Sequence, residues 1–236
     1  MEAAPHRNHP TWLTRRRRRA LAHRDQLPHP TGREEAWRYT DVGVLRRELY
    51  QGAPDRQVAP PEAARDHWNR WHQQSAQAVV MDGLPAATAL PAEAVEAGVG
   101  LWDLERAVAE RPALLRTHLG TLVGAEDLFT ADSLARFSGG LLLHVPRGAR
   151  LTEPLRLLHG ITAAGRLVRP RTVVVVDADA EVTVTEDLAG QDLSKPALVT
   201  PVTELFVGAG SRVTWQSWQQ LGASTRHLSH FGARLD

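Results

Sequence analysis

Three segments of this 236-residue chain repeat one pattern at a fixed spacing. They read VPRGARLT (145–152), VDADAEVT (176–183) and VGAGSRVT (207–214), and each has valine, five turn-like residues, an aliphatic residue and threonine. The interval is 31 residues in both steps. A fixed period of about 20–50 residues is the mark of a solenoid, in which each repeat stacks on the previous one. This repeat therefore constrains the fold more than any other feature of the sequence.

The elements inside the repeat are predicted to be β-strands. LLLHV, TVVVV and TELFV lead into the three turns and are rich in β-branched or bulky apolar residues. After each turn the pattern alternates, as it does in EVTVTED, which is typical of a strand with one buried face. Short strands at regular spacing without long helices between them indicate a β-helix or a stacked β-sandwich. We expect a right-handed parallel β-helix.

Stacking of the circuits predicts which side chains become neighbours. Equivalent positions should form an apolar row, a charged row and a hydroxyl row, in that order Val145, Val176 and Val207; Arg150, Glu181 and Arg212; Thr152, Thr183 and Thr214. The corners need backbone freedom, which glycine supplies directly and aspartate supplies by bonding to nearby amides. Gly148, Gly208 and Gly210 meet this need in the outer copies, and Asp177 and Asp179 meet it in the middle copy.

The first half of the chain lacks the period and is predicted to be a mostly helical α/β domain at residues 1–128. The second part, residues 129–236, would hold the β-helix coils and looks incomplete. Helices are expected at 12–23, at 60–76, from Asp103 onward and between Pro112 and Gly120, with a short strand and turn at 78–83. A last coil without a cover exposes apolar surface and free strand edges, which predicts self-association or a partner there.

Composition excludes several classes of function. With 28 Lys and Arg against 27 Asp and Glu, the net charge of +1 gives no electrostatic footprint for nucleic acid or an anionic membrane. The chain has no cysteine, so it cannot form disulfides or ligate zinc or an iron–sulfur cluster through its own thiolates. No apolar run approaches the roughly 20 residues that span a bilayer. We expect a cytoplasmic protein without a cofactor of its own.

Four segments resemble the SufD family, a branch of the SufB/SufD-type iron–sulfur cluster assembly scaffolds. REEAWRYTDV resembles the signature near the start of SufD proteins, and GGLLLHVPRGARLTEPLRLLH resembles their strand and Val-Pro-x-Gly turn. RPRTVVVVDADAEVTVTED and VTELFVGAGSRVTWQSWQQ follow in the order the family has them. The similarity covers the N-terminal domain and the first part of the β-helix. Family members continue into further coils and a C-terminal helical domain, so this chain stops roughly halfway.

The resemblance implies a function. SufD-like proteins are non-catalytic scaffold subunits of the SUF machinery, whose complex handles iron–sulfur clusters and whose ATPase partner uses ATP. They pair with a SufB-like subunit through their β-helices and with the SufC-like ATPase through the C-terminal helical domain, which this chain lacks. No catalytic or ligand residue of the family has a counterpart here. Trp37 and Tyr39, inside the first motif, either anchor the N-terminal segment or contact a partner.

Two other functions stay open at this point. A carbohydrate-active β-helix enzyme would need a pair of carboxylates in a groove, and the acidic residues to consider are Glu186, Asp187 and Glu204. A nucleic-acid-binding module would use the arginines at residues 15–19, although an arginine-rich surface helix explains them equally. His227 and His230 would suit a metal on a helix, but a strand sends them to opposite faces. Trp68 and Trp71 fit a packed helix stripe or a ligand pocket.

Overall fold

The structure is a computed structural model that describes residues 9–53 and 76–236. Within these ranges five α-helices precede the repeat: α1 (Thr11–Arg24), α2 (Ala92–Glu96), α3 (Leu104–Glu110), α4 (Pro112–His118) and α5 (Leu128–Arg136). The helices predicted at 12–23, after Asp103 and after Pro112 are thereby confirmed. The helix predicted from residue 60 onward, with Trp68 and Trp71, lies outside the described residues. None of the helices in the described ranges combines the length and apolar character needed to cross a bilayer.

Three short 3-10 helices follow α1, at Glu35–Trp37, Val42–Leu45 and Arg47–Leu49. The predicted helical turn around Glu34 is the first of them, but its ion pair differs from the predicted one. Arg38 pairs with Glu35 at 3.7 Å, while the carboxylate of Glu34 accepts hydrogen bonds from Thr31.

Fourteen strands in the described ranges form three sheets. They are β1 (Gln51–Gly52), β2 (Ala76–Met81), β3 (Leu84–Thr88), β4 (Gly100–Asp103), β5 (Gly139–Val145), β6 (Leu155–Ile161), β7 (Arg166–Val168), β8 (Pro170–Val176), β9 (Glu181–Gly190), β10 (Ala197–Val199), β11 (Val202–Val207), β12 (Arg212–Gln220), β13 (Thr225–His227) and β14 (His230–Leu235). The first sheet has the order β14-β11-β8-β5-β4, the second β12-β9-β6-β2-β3 and the third β1-β7-β10-β13.

From β5 onward the chain winds through the three sheets in turn, which makes a parallel β-solenoid. β5, β6 and β7 form one circuit, β8 to β10 the next and β11 to β13 the third, while β14 opens a fourth. Val176 lies opposite both Val145 and Val207, so the predicted apolar row is confirmed. The solenoid is therefore the fold that the 31-residue period predicts, and the hand of its winding stays a prediction.

The charged and hydroxyl rows are confirmed in part. Glu181 lies opposite Arg150 and Arg212 in the backbone register, and its carboxylate is 3.5 Å from Arg150 Nη1. Thr183 and Thr214 pair as expected. Thr152 instead lies in the bend before β6, where its N–H and its hydroxyl donate to Glu93 at 2.8 and 3.0 Å. The third member of the predicted hydroxyl row is therefore held by the N-terminal half.

The corner after the first sheet requires a left-handed backbone at the same place in every circuit. Gly148 has φ 72° and Gly210 has φ 72°, whereas Asp179 adopts φ 63° in the middle circuit. Aspartate tolerates this region better than most residues because its short side chain bonds locally. Its carboxylate here accepts a hydrogen bond from Arg147 at 2.7 Å. The prediction that Asp179 replaces glycine at this corner is confirmed.

The circuits are not all of one length. Leu155 lies opposite Val184, a separation of 29 residues, so the first circuit gains two residues after Arg150. Leu198 lies opposite Arg226, a separation of 28 residues, so the third circuit is three residues shorter in the loop before β13. Both adjustments fall in bends, where an insertion or deletion leaves the inward and outward faces of the strands unchanged.

Strands from the first half of the chain extend all three sheets at the same end. β1 pairs in parallel with β7, β2 in parallel with β6, and β4 antiparallel with β5. The turn between β2 and β3 is fixed by Asp82, whose buried carboxylate accepts N–H hydrogen bonds from Thr162 and Ala163 at 2.7 and 2.9 Å. The first circuit is therefore covered by the N-terminal half. The domain division at residues 128/129 stays a prediction.

Two apolar cores lie on opposite faces of the first sheet. Its inward side chains fill the solenoid, as Leu143, Val174 and Leu205 do. Its outward side chains pack against the helices, where Val175 and Leu115 belong to one buried cluster. Because both faces of the sheet are buried, its strands are nearly continuous apolar runs, as strands covered on both sides usually are.

One buried ion pair interrupts the core between the sheet and the helices. Glu204 on β11 and Arg171 on β8 have no exposed side-chain surface, and Arg171 Nη2 lies 3.2 Å from Glu204 Oε2. The Glu204 carboxylate also accepts four backbone N–H bonds from the loop after α4, donated by Gly120, Thr121, Leu122 and Val123 at 2.7–3.2 Å. Arg171 in turn donates to the Val123 carbonyl. This group of hydrogen bonds attaches the helical part to the solenoid.

We predict that Glu204→Gln lowers the free energy of unfolding by about 3–5 kcal/mol, because it leaves the Arg171 guanidinium buried without a counter-charge. Arg150→Gln, which breaks the exposed pair with Glu181, should lower it by less than about 1 kcal/mol. Chemical denaturation of the two variants and the parent protein measures both values. Equal losses for the two variants would contradict the importance given to Glu204.

Candidate partner-binding surfaces

The two aromatic residues predicted to bind a partner lie in different surroundings. Trp37 is partly buried and packs against Phe129 of α5, with ring centroids 5.4 Å apart. Tyr39 is 90% exposed and lies beside the Arg38 guanidinium. Trp37 thus has the anchoring contacts that the sequence offered as one interpretation, and only Tyr39 presents its ring to solvent. A partner contact at either residue stays a prediction.

The last circuit of the solenoid forms a second and larger surface, which we call the terminal coil (β12, β13 and β14). Each of these strands is the last in its sheet and pairs on one side only. The exposed fractions of Trp218, Phe231 and Leu235 are 59%, 50% and 76%. Unpaired strand edges beside apolar side chains are a ready template for another chain. The sequence predicted an uncovered last coil but not these three residues, which follow from the alternation along β12 and β14.

A cavity of about 380 Å³ opens under the terminal coil. Its walls combine Trp215 and Phe231, whose rings meet edge to face at 5.4 Å, with the polar side chains of Glu186 and Ser217. The Ser217 hydroxyl lies 3.4 Å from Glu186 Oε2, and Glu186 Oε1 has no hydrogen-bond partner within the described residues. The interior of the solenoid therefore changes from apolar to polar at this end.

Glu186 faces a buried histidine from the preceding circuit. His159 Nε2 lies 3.5 Å from Glu186 Oε1, and both side chains are buried. Burial raises the pKa of Glu186 to about 7, although hydrogen bonds from Ser217 and Thr203 oppose the shift. Burial alone lowers the pKa of His159 to about 4. Each group thus favours its uncharged form in the folded protein. Sequence patterns gave no sign of His159, because the register that brings it near Glu186 is tertiary.

The two histidines considered for a metal site bond to different parts of the protein. His227 Nδ1 lies 2.9 Å from Gln219, and His230 Nε2 lies 3.1 Å from Asp127 at the start of α5. Both are on strands, as the local pattern predicted. Among the residues that the structure describes, no group of three or more His, Asp or Glu side chains is arranged to hold a metal ion.

The carboxylates considered for sugar cleavage do not share a groove. Glu204 is enclosed by backbone N–H groups and Arg171 on the helical side of the first sheet. Glu186 faces the solenoid interior, and Asp187 follows it on the same strand and so points the other way. A glycosidase needs two carboxyl groups separated by about 5–10 Å across a substrate. The burial of Glu204 removes it from any such pair.

The arginine run on α1 is divided between packing and solvent. Arg16 donates to the Leu119 and Arg116 carbonyls, and the Arg17 guanidinium lies 3.9 Å from the centre of the Phe137 ring. Arg15, Arg18 and Arg19 are exposed. The run is therefore one face of a surface helix whose other face packs through Leu13 and Ala20. This agrees with the interpretation of these arginines as an arginine-rich surface helix.

Comparison with known proteins places the whole of this architecture. Residues 2–157 match the family described as SufBD protein N-terminal region, and residues 159–236 match the SUF system FeS cluster assembly, SufBD core domain. The chain belongs to the SufBD family. The resemblance drawn from the four sequence motifs is thus confirmed at the level of SufB/SufD-type proteins.

Curated SufBD family relatives come from distant bacteria. An iron–sulfur cluster assembly SufBD family protein of Synechocystis is 21% identical over 86% of this chain and 46% of its own length. A Staphylococcus epidermidis protein of the same description is 29% identical over 53% of this chain and 28% of its own length. The iron–sulfur cluster assembly protein SufB of Bacillus subtilis is 27% identical over 51% and 27%. The chain spans less than half the length of these relatives.

We predict opposite pH signatures for the two buried groups. Stability that Glu186 contributes below pH 4.5 is lost as pH rises to about 7, because the unfolded chain releases the proton first. Glu186→Gln removes this loss, so the variant should gain up to ~3 kcal/mol over the parent protein between pH 5 and pH 8. His159 loses stability as pH falls from 6.5 to about 4, so His159→Gln should gain over the parent in that window.

Urea denaturation across this pH range measures both signatures. The two variants serve as controls for each other, since each should change one limb of the stability curve and leave the other. Curves that run parallel to that of the parent protein at every pH would show that neither group is held uncharged by burial.

Proposed function

We propose that this chain acts as a SufD-type, non-catalytic scaffold subunit in the assembly of iron–sulfur clusters, and that it works by contact with other proteins in the cytoplasm. Membership of the SufBD family supports a place in the SUF system. The solenoid supports a scaffold role, because its conserved product is an extended surface of strands rather than a pocket with converging reactive groups. The terminal coil is the observation that carries the proposal.

The SufD type is favoured over the SufB type by composition. A subunit that receives sulfur or ligates iron directly uses thiolates for the purpose. The 236 residues contain no cysteine, so this span has no thiolate to offer. On this proposal the cluster is built on groups supplied by a partner, and ATP is used by the ATPase of the complex.

The partner we propose for the terminal coil is a SufB-like subunit. Its solenoid would offer matching strand edges, and apolar contacts with Trp218 and Leu235 would bury surface that is now exposed. The SufC-like ATPase would join through the SufB-like subunit, because family resemblance assigns its direct contact to a helical domain that the matched span does not include. Self-association through the same coil is the competing use of this surface.

We predict that the double variant Trp218→Glu, Leu235→Glu binds a SufB-like subunit from the same host at least tenfold more weakly than the parent chain. Two charges placed on the terminal coil oppose burial there. Val95→Glu changes an equally exposed aliphatic residue on α2 and should leave the affinity within about twofold. Isothermal titration calorimetry with the co-purified partner measures all three affinities.

Three outcomes would contradict the proposal. The first is unchanged affinity of the double variant, which would place the contact elsewhere, and Tyr39→Glu would then test the N-terminal segment. The second is no binding of a SufB-like subunit by the parent chain. The third is a stable dimer of the parent chain, seen by light scattering, that the double variant abolishes while no SufB-like subunit competes for it.

A further inference from the structure

A second cavity, of about 290 Å³, lies on the opposite side of the molecule from the helical core. It is enclosed by the end of α1, the 3-10 helices at 42–49, the start of α5 and the third sheet. Its apolar floor is one buried cluster that includes Leu45, Phe129, Leu167 and Leu198. Its polar wall includes Arg24, Arg47 and Asp132. We call it the arginine cavity.

Asp132 in this wall is shared by three guanidinium groups. Arg169 Nε donates to Asp132 Oδ2 at 2.6 Å. Arg24 Nε lies 3.2 Å and Arg136 Nη1 lies 4.0 Å from the other oxygen, Asp132 Oδ1. One carboxylate therefore faces three positive charges from α1, α5 and the third sheet.

The positive charge in this region exceeds the negative charge. Arg47 is a fourth neighbour: burial lowers the pKa of Arg136 most, and the charges of Arg47, Arg24 and Arg169 lower it further, against the opposing effect of Asp132. The acidic groups nearest the opening, Asp25 and Glu48, are exposed to solvent, which screens their charge. Four guanidinium groups are thus gathered around one buried carboxylate.

Several of these guanidinium groups have hydrogen-bonding capacity left over. Arg169 is 3% exposed, yet its Nη2 has no hydrogen-bond partner among the described residues. Arg24 Nε and Arg136 Nη1 are buried and also lack a well-aligned acceptor there. A buried charged donor without an acceptor is destabilising by several kcal/mol. An acceptor-rich anion in the cavity would remove this destabilisation.

We propose that the arginine cavity binds a small molecule that carries a phosphate group. The planar fork of each guanidinium matches the oxygen geometry of phosphate, and a dianion balances an excess charge that a monocarboxylate would leave partly uncompensated. The apolar floor at Leu45, Phe129 and Leu198 accommodates a non-polar portion of the same molecule. A volume of about 290 Å³ suits a compact phosphate ester rather than a dinucleotide.

The location gives such a ligand a mechanical consequence. It would contact α1 and α5 on one side and strands β7 and β10 on the other. A ligand that binds only the folded protein stabilises it in proportion to its saturation. Binding would therefore stabilise the junction between the helical part and the solenoid, at a site remote from the terminal coil and independent of its partner.

Calorimetric titration with phenyl phosphate tests this site, with sodium chloride used to hold the ionic strength constant. The parent chain should bind phenyl phosphate, and benzoate at least tenfold more weakly. Arg47→Gln should weaken phenyl phosphate binding at least tenfold. Arg38→Gln, which removes one exposed positive charge outside the cavity, should change it less than twofold. No measurable binding by the parent chain, equal affinity for benzoate, or equal effects of the two substitutions would overturn the proposal.

A second variant separates ligand binding from a purely structural cluster. Asp132→Asn removes the competing carboxylate, so phosphate should bind more tightly and raise the melting temperature by more than it does in the parent chain. A cluster that serves only to hold the fold together predicts no gain. If Arg47→Gln fails to fold, Arg46→Gln, on an exposed residue of the cavity rim, should weaken binding several-fold, and unchanged binding in that variant would contradict the site.

Discussion

The parallel winding of the chain is the constraint on which the remaining structure depends. Each circuit brings a residue over its equivalent in the previous circuit, so an inward side chain must fit beneath another inward side chain. Val145, Val176 and Val207 satisfy this in the apolar part of the solenoid. The same rule decides the corner, where Gly148, Asp179 and Gly210 all adopt left-handed backbone. The repeat in the sequence is the direct record of this stacking.

The helical part is attached to this stack by polar rather than apolar means at one decisive point. Glu204 is placed by the register of β11 on the outward face of the first sheet, next to Arg171 on β8. There it accepts hydrogen bonds from four successive backbone N–H groups of the loop after α4. Apolar packing alone would allow the helices to slide on the sheet, whereas these bonds specify one position. The pair thus contributes specificity, a use that buried ion pairs have in some other proteins.

Sequence reasoning reached the solenoid because stacking leaves a periodic trace that can be read without coordinates. It reached α1, α3 and α4 because proline, Asp103 and glycine mark their ends. It could not place the two-residue gain before Leu155, since bends carry no periodic pattern. Thr152 was therefore assigned to a row that it does not join. The neighbours of Glu186, Arg171 and Asp132 were also out of reach, because their partners lie on other circuits or on helices.

The candidate site was predicted less well than the fold for the same physical reason. An uncovered last coil follows from the repeat, but which of its residues are exposed depends on the face that each strand turns outward. Trp37 and Tyr39 are two residues apart and share a motif, yet only Tyr39 is exposed, because Phe129 lies where the Trp37 ring can pack on it. Local sequence does not contain that information.

Disulfide trapping between neighbouring circuits tests the winding most directly, and the absence of native cysteine makes the result unambiguous. Thr183 and Thr214 are paired across β9 and β12, and paired strand residues have Cα atoms about 4.8 Å apart, within disulfide range. The double variant Thr183→Cys, Thr214→Cys should form an intramolecular disulfide under mild oxidation. Thr183→Cys with Gln216→Cys, two residues out of register on the same strand, should not. Equal trapping of both pairs, or trapping of the second alone, would contradict the 31-residue stacking.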